Sequence, residues 1–389
     1  MSDAARLTYL DNNATTRVDP AVAAAMRPFW EEQYANAASP HRFGAFAAAR
    51  VEEARASVAR LLQARDSEIV FTSGGTEADN AALRGVLAAR PERRHVVISA
   101  VEHHAVLTPA ELLESEGVSV TRVGVDAHGR LDLDALDRAL RPDTALVSIM
   151  LANNETGVIF PLADIARRAK AVGAVVHADA VNAVGKIRVH VEELAVDLLS
   201  VSAHKLHGPK GVGALYVRRG ARWRPTIVGG PQERERRGGT SNVPGIVGFG
   251  AACALLCDAE HTPDGPTATR IRALRDRLET EIAFCVPGAR VIARDEPRLP
   301  NTSCICFEGV GAEALILLLS EAGICVSSGA ACSSGSLEPS HVLKAMAIPP
   351  EIAQGQVRFS LSRFSSEADV RHVLEVLPDA VRRVAAVSL

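Results

Sequence analysis

Residues 68–99 read EIVFTSGGTEADNAALRGVLAARPERRHVVIS, and the order of patterns in this stretch decides the fold. A short run of β-branched and aromatic residues leads into a Gly-Gly turn, then a helical segment, TEADNAALRGVLAA, then a second apolar run, HVVIS. The same rhythm continues outward. AVLTPAELLESEG follows HVVIS, PLADIARRAKAVG follows ALVSIM, and the runs AVVHA and DLLSVSA come next. Apolar runs separated by helices in this way predict an α/β fold with a mainly parallel sheet buried on both faces. Ligands of such sheets sit at the carboxyl ends of the strands, so the chemistry is expected just after each apolar run.

Beyond about residue 250 the pattern changes to a long helical stretch (TRIRALRDRLETEIA), a strand with period-two alternation (TSCICFEG), a helix (AEALILLLSEAG) and a final strand (QVRFSLSRF). This predicts a second, smaller α+β domain, with HTPDGPT at 261–267 as the linker. The expected division is a large domain over 16–260 and a small one formed by 1–15 with 261–389. At 389 residues, 47% hydrophobic and 23% charged, the chain is long enough for both. Its 43 basic and 46 acidic residues give a net charge of −3 without long runs of either sign, which argues against nucleic acid or an anionic membrane as main partner. The start, MSDAARLTYLDNN, lacks the basic and apolar regions of a signal peptide, and the apolar run 314–319 is too short to span a bilayer, so a soluble, cytoplasmic protein is expected. The seven cysteines form no CxxC pair, which indicates neither a disulfide framework nor a zinc knuckle.

Chemistry-bearing residues follow the apolar runs. After EIVF, the segment TSGGTEADN opens a helix at Thr76 behind two glycines, a place where free backbone N–H groups and the helix dipole cradle an anion. An ordinary turn capped by threonine is the competing reading. After AVVHA comes Asp179, either a turn residue or a partner for a cationic ring nitrogen. After DLLSVSA come His204 and Lys205. A lysine ending a buried strand can lose charge by desolvation and become an amine fit for a Schiff base; Lys210, in GPKGVG, competes but is expected to be exposed. VEHHAV supplies His103 and His104, and NNETG at 153–157 adds amide and carboxylate groups. A phosphate cradle, a carboxylate for a ring nitrogen, an aromatic stacker and a desolvated lysine together describe one ligand, pyridoxal phosphate.

One segment stands apart. SSGAACSSGSLEPSH, residues 327–341, places Cys332 among glycines and serines, where nothing holds it still, so the loop is expected to be exposed and mobile. With this loop, with YLDNNATT near the start, SAHKLHGPKG and RRGGTSN in the middle and RFSLSRF near the end, the chain resembles the cysteine desulfurases of the nitrogen-fixation and iron–sulfur-cluster type, a branch of the class V aminotransferase family. The resemblance implies the fold-type I architecture, with a seven-stranded sheet. It implies that Lys205 holds the cofactor, that Asp179 faces the pyridine nitrogen, and that His103 stacks on the ring and assists proton transfer. It further implies that Thr76, Ser202 and His204 bind the phosphate with backbone help from Gly75, and that Thr240 reaches the phosphate of a neighbouring subunit in a homodimer. Arg358, with Asn154, would grip the substrate carboxylate, a task suited to a guanidinium on the inward face of a strand. Cys332 would take sulfur from L-cysteine as a persulfide, leave alanine, and carry the sulfur to a scaffold or acceptor protein for iron–sulfur cluster assembly.

Two departures stand out. The family has Gly-Asn-Pro where this chain reads Ala35-Asn36-Ala37, and glutamine where it has Asn182, so the contact to the ring hydroxyl is expected to lengthen, to pass through water or to be lost. The phrase SGSLEPSHVLKAM and the short segment after LEVLPDAV favour the nitrogen-fixation branch. The rival readings are a selenocysteine lyase or another class V aminotransferase-like enzyme and, from a different class, a non-catalytic metal or cluster carrier built on Cys304, Cys306, Cys325 and Cys332. For the C-x-C pair, core packing is the expected role.

Overall fold

The structure is a computed structural model that describes residues 7–258, 262–263, 265–329 and 340–387. In chain order its strands are β1 (Thr8–Tyr9), β2 (Ile69–Thr72), β3 (His95–Ser99), β4 (Ser119–Val123), β5 (Thr144–Ser148), β6 (Val175–Asp179), β7 (Leu198–Ser202), β8 (Gly213–Val217), β9 (Ala289–Val291), β10 (Thr302–Phe307), β11 (Ile324–Cys325) and β12 (Gln356–Ser360). Seven of them form one sheet in the order β2-β8-β7-β6-β5-β3-β4. All neighbours in it are parallel except β8, which runs antiparallel to both β2 and β7. The mainly parallel seven-stranded sheet expected above is therefore present.

Period-two geometry explains how the apolar runs serve two faces at once. Val96 and Ile98 join one hydrophobic cluster while Val97 between them joins another, and Leu198 and Leu199 divide in the same way. All five are fully buried. Full burial of each such side chain contributes about 1.5–3 kcal/mol, enough to demand helices on both sides of the sheet. Two strands of this sheet were not legible as apolar runs. β4, SVTRV, is an edge strand with a largely exposed, polar surface, and β8, GALYV, is hidden behind the glycine-rich turn that precedes it.

A separate cluster gathers Leu10 with residues between Leu274 and Val384, around the antiparallel sheet β12-β10-β9. Here Ile305 and Phe307 face that cluster, whereas Cys304 and Cys306 point the other way into the main core. The expected linker at 261–267 is shorter than its composition suggested, because Pro266 already begins the helix Pro266–Cys285, as proline at the first helical position favours. Strand β1 pairs with β11, and Asp11 bridges to Ser360 of β12, so the N-terminal segment reaches the sheet system of the later half of the chain. No described helix is long and apolar enough to cross a membrane.

Candidate active site

The carboxyl ends of β2, β3, β5, β6 and β7 open onto a cavity of about 300 Å³. Ten residues singled out in the sequence line it: Gly75, Thr76, His103, Asn154, Asp179, Asn182, Ser202, His204, Lys205 and Arg358. They come from six separate places in the chain, and the sheet brings them together. A larger open groove of about 970 Å³ lies at the opposite ends of the strands, against Val175 and Asp197, and holds none of them.

The helix Gly75–Ala89 starts at the cavity with no side-chain cap, so its first-turn N–H groups are available there. Gly75 must be small, since a Cβ at that position would lie 2.7 Å from Val181 Cγ2. Neither the Thr76 nor the Ser202 hydroxyl is committed to a hydrogen bond among the described residues. The His204 ring, bonded through Nδ1 to Thr15 Oγ1 at 3.1 Å, is pushed down to about 4 by burial and by the Lys205, Lys210 and Lys186 cations.

Asp179 ends β6 and accepts the Val181 N–H on Oδ1 at 2.8 Å. Burial raises its carboxyl to about 6 against the opposing pull of that N–H and of Lys205, so a cationic partner at this carboxylate would favour the charged form. Lys205 Nζ donates to the main-chain oxygens of Asn13 and, at 3.0 Å, Ala14. Lys210, its competitor in the sequence, is exposed. His103 does two things at once. Its Nδ1 accepts the Ala105 N–H at 3.1 Å as the cap of the helix His104–Ser115, while the ring forms part of the cavity wall. Burial, then Lys205, His104, His341 and Arg358, lower it to about 4, which leaves a neutral planar ring.

Arg358, on β12 and almost wholly buried, donates to Asp11 Oδ1 at 3.0 Å and to the main-chain oxygen of Asn154 at 3.1 Å. Its Nε is enclosed without a partner among the described residues, and the residue belongs to the cavity wall. Such a group costs stability unless a ligand meets it, so an anionic ligand suits the site. The uncommitted hydroxyls and helix N–H groups at one end, and Asp179 with Lys205 at another part of the same cavity, fit pyridoxal phosphate.

Cys332 lies outside the described residues. Three residues before it, Gly329 lines the cavity, and ahead of the helix His341–Ala345 Ser340 Oγ donates to Glu155 Oε2 at 2.5 Å. A Cβ on Gly329 would come within 2.2 Å of both Glu155 Oε2 and Gln356 Oε1, so only glycine approaches this pair so closely. Thr240 is exposed and does not line the cavity. Among the described residues no group of three or more His, Cys, Asp or Glu side chains is placed to hold a metal ion.

Several contributors carry no mark in the sequence. Asn13 is the hub: its amide nitrogen donates to Asn154 O and Thr302 Oγ1, and its amide oxygen accepts from Asn301 and Lys186. Asp79 is buried at the cavity edge, with the His177 imidazole 3.5 Å from its Oδ1. Asn13 sits in the quoted DNN, Asp79 in TEADN and Lys186 in AVGK, but a single polar residue in a short motif carries no signal of where its side chain goes.

The Aminotransferase class-V family matches residues 8–373. The cysteine desulfurase of Gluconacetobacter diazotrophicus is 53% identical over 382 residues, covering 98% of this chain and 94% of that one, and the cysteine desulfurase of a Nostoc strain is 51% identical over 381 residues with the same coverage. A solved NifS-like protein superposes with a TM-score of 0.91 at 40% identity, covering 97% of this chain and 100% of that one. SspA, solved in complex with cysteine, gives 0.81 at 34% identity over 92% of this chain and 100% of its own. With a match spanning nearly its whole length and the sheet described above, the chain belongs to the class-V aminotransferase family and has its fold-type I architecture.

Proposed function

We propose that this protein is a pyridoxal phosphate-dependent cysteine desulfurase that converts L-cysteine to L-alanine and takes the sulfur onto Cys332. The observation that carries the reading is the convergence of ten residues from six segments on one cavity, with an amine, Lys205, and a buried carboxylate, Asp179, among them. When bound, pyridoxal phosphate supplies an electron sink for bonds at the substrate's α- and β-carbons. Gly75, Thr76, Ser202 and His204 hold its phosphate, Asp179 its ring nitrogen, and Lys205 its carbonyl carbon. His103, neutral and planar, stacks on the ring.

Arg358 binds the carboxylate of L-cysteine, with Asn154 beside it. The Cys332 thiolate attacks the substrate sulfur; as the new S–S bond forms, the carbon–sulfur bond breaks, and the carbon left behind takes a proton to become the methyl group of alanine. Cys332 follows Gly329 at the cavity wall by three positions, a reach of at most roughly 10 Å, which is compatible with delivery of the thiol to the site. The persulfide then passes to an acceptor protein, in our reading one that supplies sulfur for iron–sulfur clusters. Thr240, exposed and away from its own cavity, serves the site of a second copy in a homodimer.

Mass spectrometry of the protein incubated with L-cysteine and no reductant tests the reading. One added sulfur on the Cys332 peptide with alanine in solution is the expected result, and Lys205→Ala is expected to abolish both. No added sulfur in a protein that carries pyridoxal phosphate would instead point to a lyase or aminotransferase-type reaction.

A further inference from the structure

Lys186 has no part in the chemistry above, yet its amine sits behind the cavity wall, bonded to two residues that line it. Nζ donates to Asn13 Oδ1 at 2.9 Å and to Asn182 Oδ1 at 3.2 Å. Which end of an asparagine amide is oxygen is ordinarily a matter of inference, and here the Asn182 atom facing the lysine N–H groups is the oxygen. Nδ2 of Asn182 therefore points elsewhere. It makes no hydrogen bond among the described residues, and Asn182 is part of the cavity wall. Asn13 extends the arrangement, since its main-chain oxygen accepts from Lys205 while its side-chain oxygen accepts from Lys186.

Resting on the pyridoxal phosphate reading, we infer that Lys186 is a positioning residue: it locks the Asn182 amide so that its N–H groups face an anionic oxygen on the cofactor ring. Without Lys186 the amide is free to turn its oxygen to the cavity, where it would repel that anion. This gives a reason why the shorter asparagine serves here, because one rotamer and one flip are held by a second hydrogen bond. The charged and titratable groups around Lys205, Lys186 and this amide include Asp179 at the end of β6, Asp79 at the cavity edge, His103 after β3, His204 and His207 after β7, and Arg358 on β12. Burial, and then the Lys205 and Arg358 cations, push the Lys186 amine well below the ordinary lysine value.

The readout is the pH at which the visible absorbance of the Lys205-bound cofactor changes. A donor that favours the anionic ring oxygen lets the neighbouring nitrogen lose its proton at lower pH, so removing the donor moves the midpoint up. Lys186→Met and Asn182→Ala are each expected to raise it by about one pH unit or more, with circular dichroism confirming the fold. The double variant is expected to shift no further than the larger single, as two residues acting as one unit do. Additive shifts would show Lys186 to be an independent charge and overturn the positioning role. An unmoved midpoint in the cavity-lining Asn182→Ala variant would overturn it even if Lys186→Met failed to fold. Wild-type protein that binds pyridoxal phosphate without any lysine-linked absorbance would overturn the cofactor reading itself.

Discussion

Glu102 has no exposed surface, and among the described residues only one of its two carboxyl oxygens is satisfied: Oε1 accepts from Ser99 Oγ at 2.5 Å and Met150 N at 2.9 Å, while Oε2 has no partner there. Burial raises its carboxyl to about 8, above the downward pull of those two donors. The folded protein thus keeps the proton that the unfolded chain releases near pH 4.5. Stability from this group is complete below that pH and is lost as pH rises toward 8, by up to a few kcal/mol. Glu102→Gln, which cannot ionise, is expected to raise the melting temperature at pH 8 and to change it little at pH 4.5, as thermal denaturation across pH would read. At Arg358 the expectation concerns binding. Arg358→Ala should weaken L-cysteine binding by about 2–4 kcal/mol, as loss of a buried charge pair does, with cofactor absorbance retained; an unchanged substrate affinity would remove Arg358 from the carboxylate site.

At the scale of elements, residues 231–238 show how a strained turn is held. Glu233, Arg234 and Glu235 all have left-handed backbone, with φ of 48°, 58° and 64°, a conformation that non-glycine residues adopt at a cost. The Glu233 carboxylate is the fastening: it accepts from Arg55 Nη1 and Nη2 at 2.7 and 2.9 Å and from Phe71 N at 2.9 Å. Both partners are buried, so removing one leaves an uncompensated charge inside the protein. Arg55→Met is expected to cost about 3–5 kcal/mol, read by chemical denaturation, and to release the turn that leads to Thr240.

For the whole molecule the question is what covers its exposed apolar side chains. Trp30, Tyr34 and Val228 are 60%, 74% and 81% exposed, and the homodimer proposed above offers a second copy of the chain both as their cover and as the site that Thr240 serves. Thr240→Ala is expected to weaken retention of the cofactor. Mixing it with Lys205→Ala subunits, which contribute an intact Thr240, should restore retention at the lysines of the Thr240→Ala subunits. Absorbance after gel filtration checks this, and no recovery on mixing would place Thr240 outside any shared site.

Local pattern was enough to determine the α/β class, the position of most central strands and the strand-end segments that line the cavity. Uninterrupted apolar runs can be buried only on both faces, and the ends of such strands are where polar residues gain a ligand, so Asp179, His204 and Lys205 are legible from the order of residues alone, whereas Ser202 came only with the family resemblance. The edge strand β4 is not, because an exposed strand needs no apolar run, and neither is β8 behind its glycines. Nor is the network around Asn13. Asn13, Lys186 and Asn182 are brought together by a hydrogen-bond chain across 173 residues of sequence, and which atom of an amide faces which neighbour is decided only when distant segments fold onto one another.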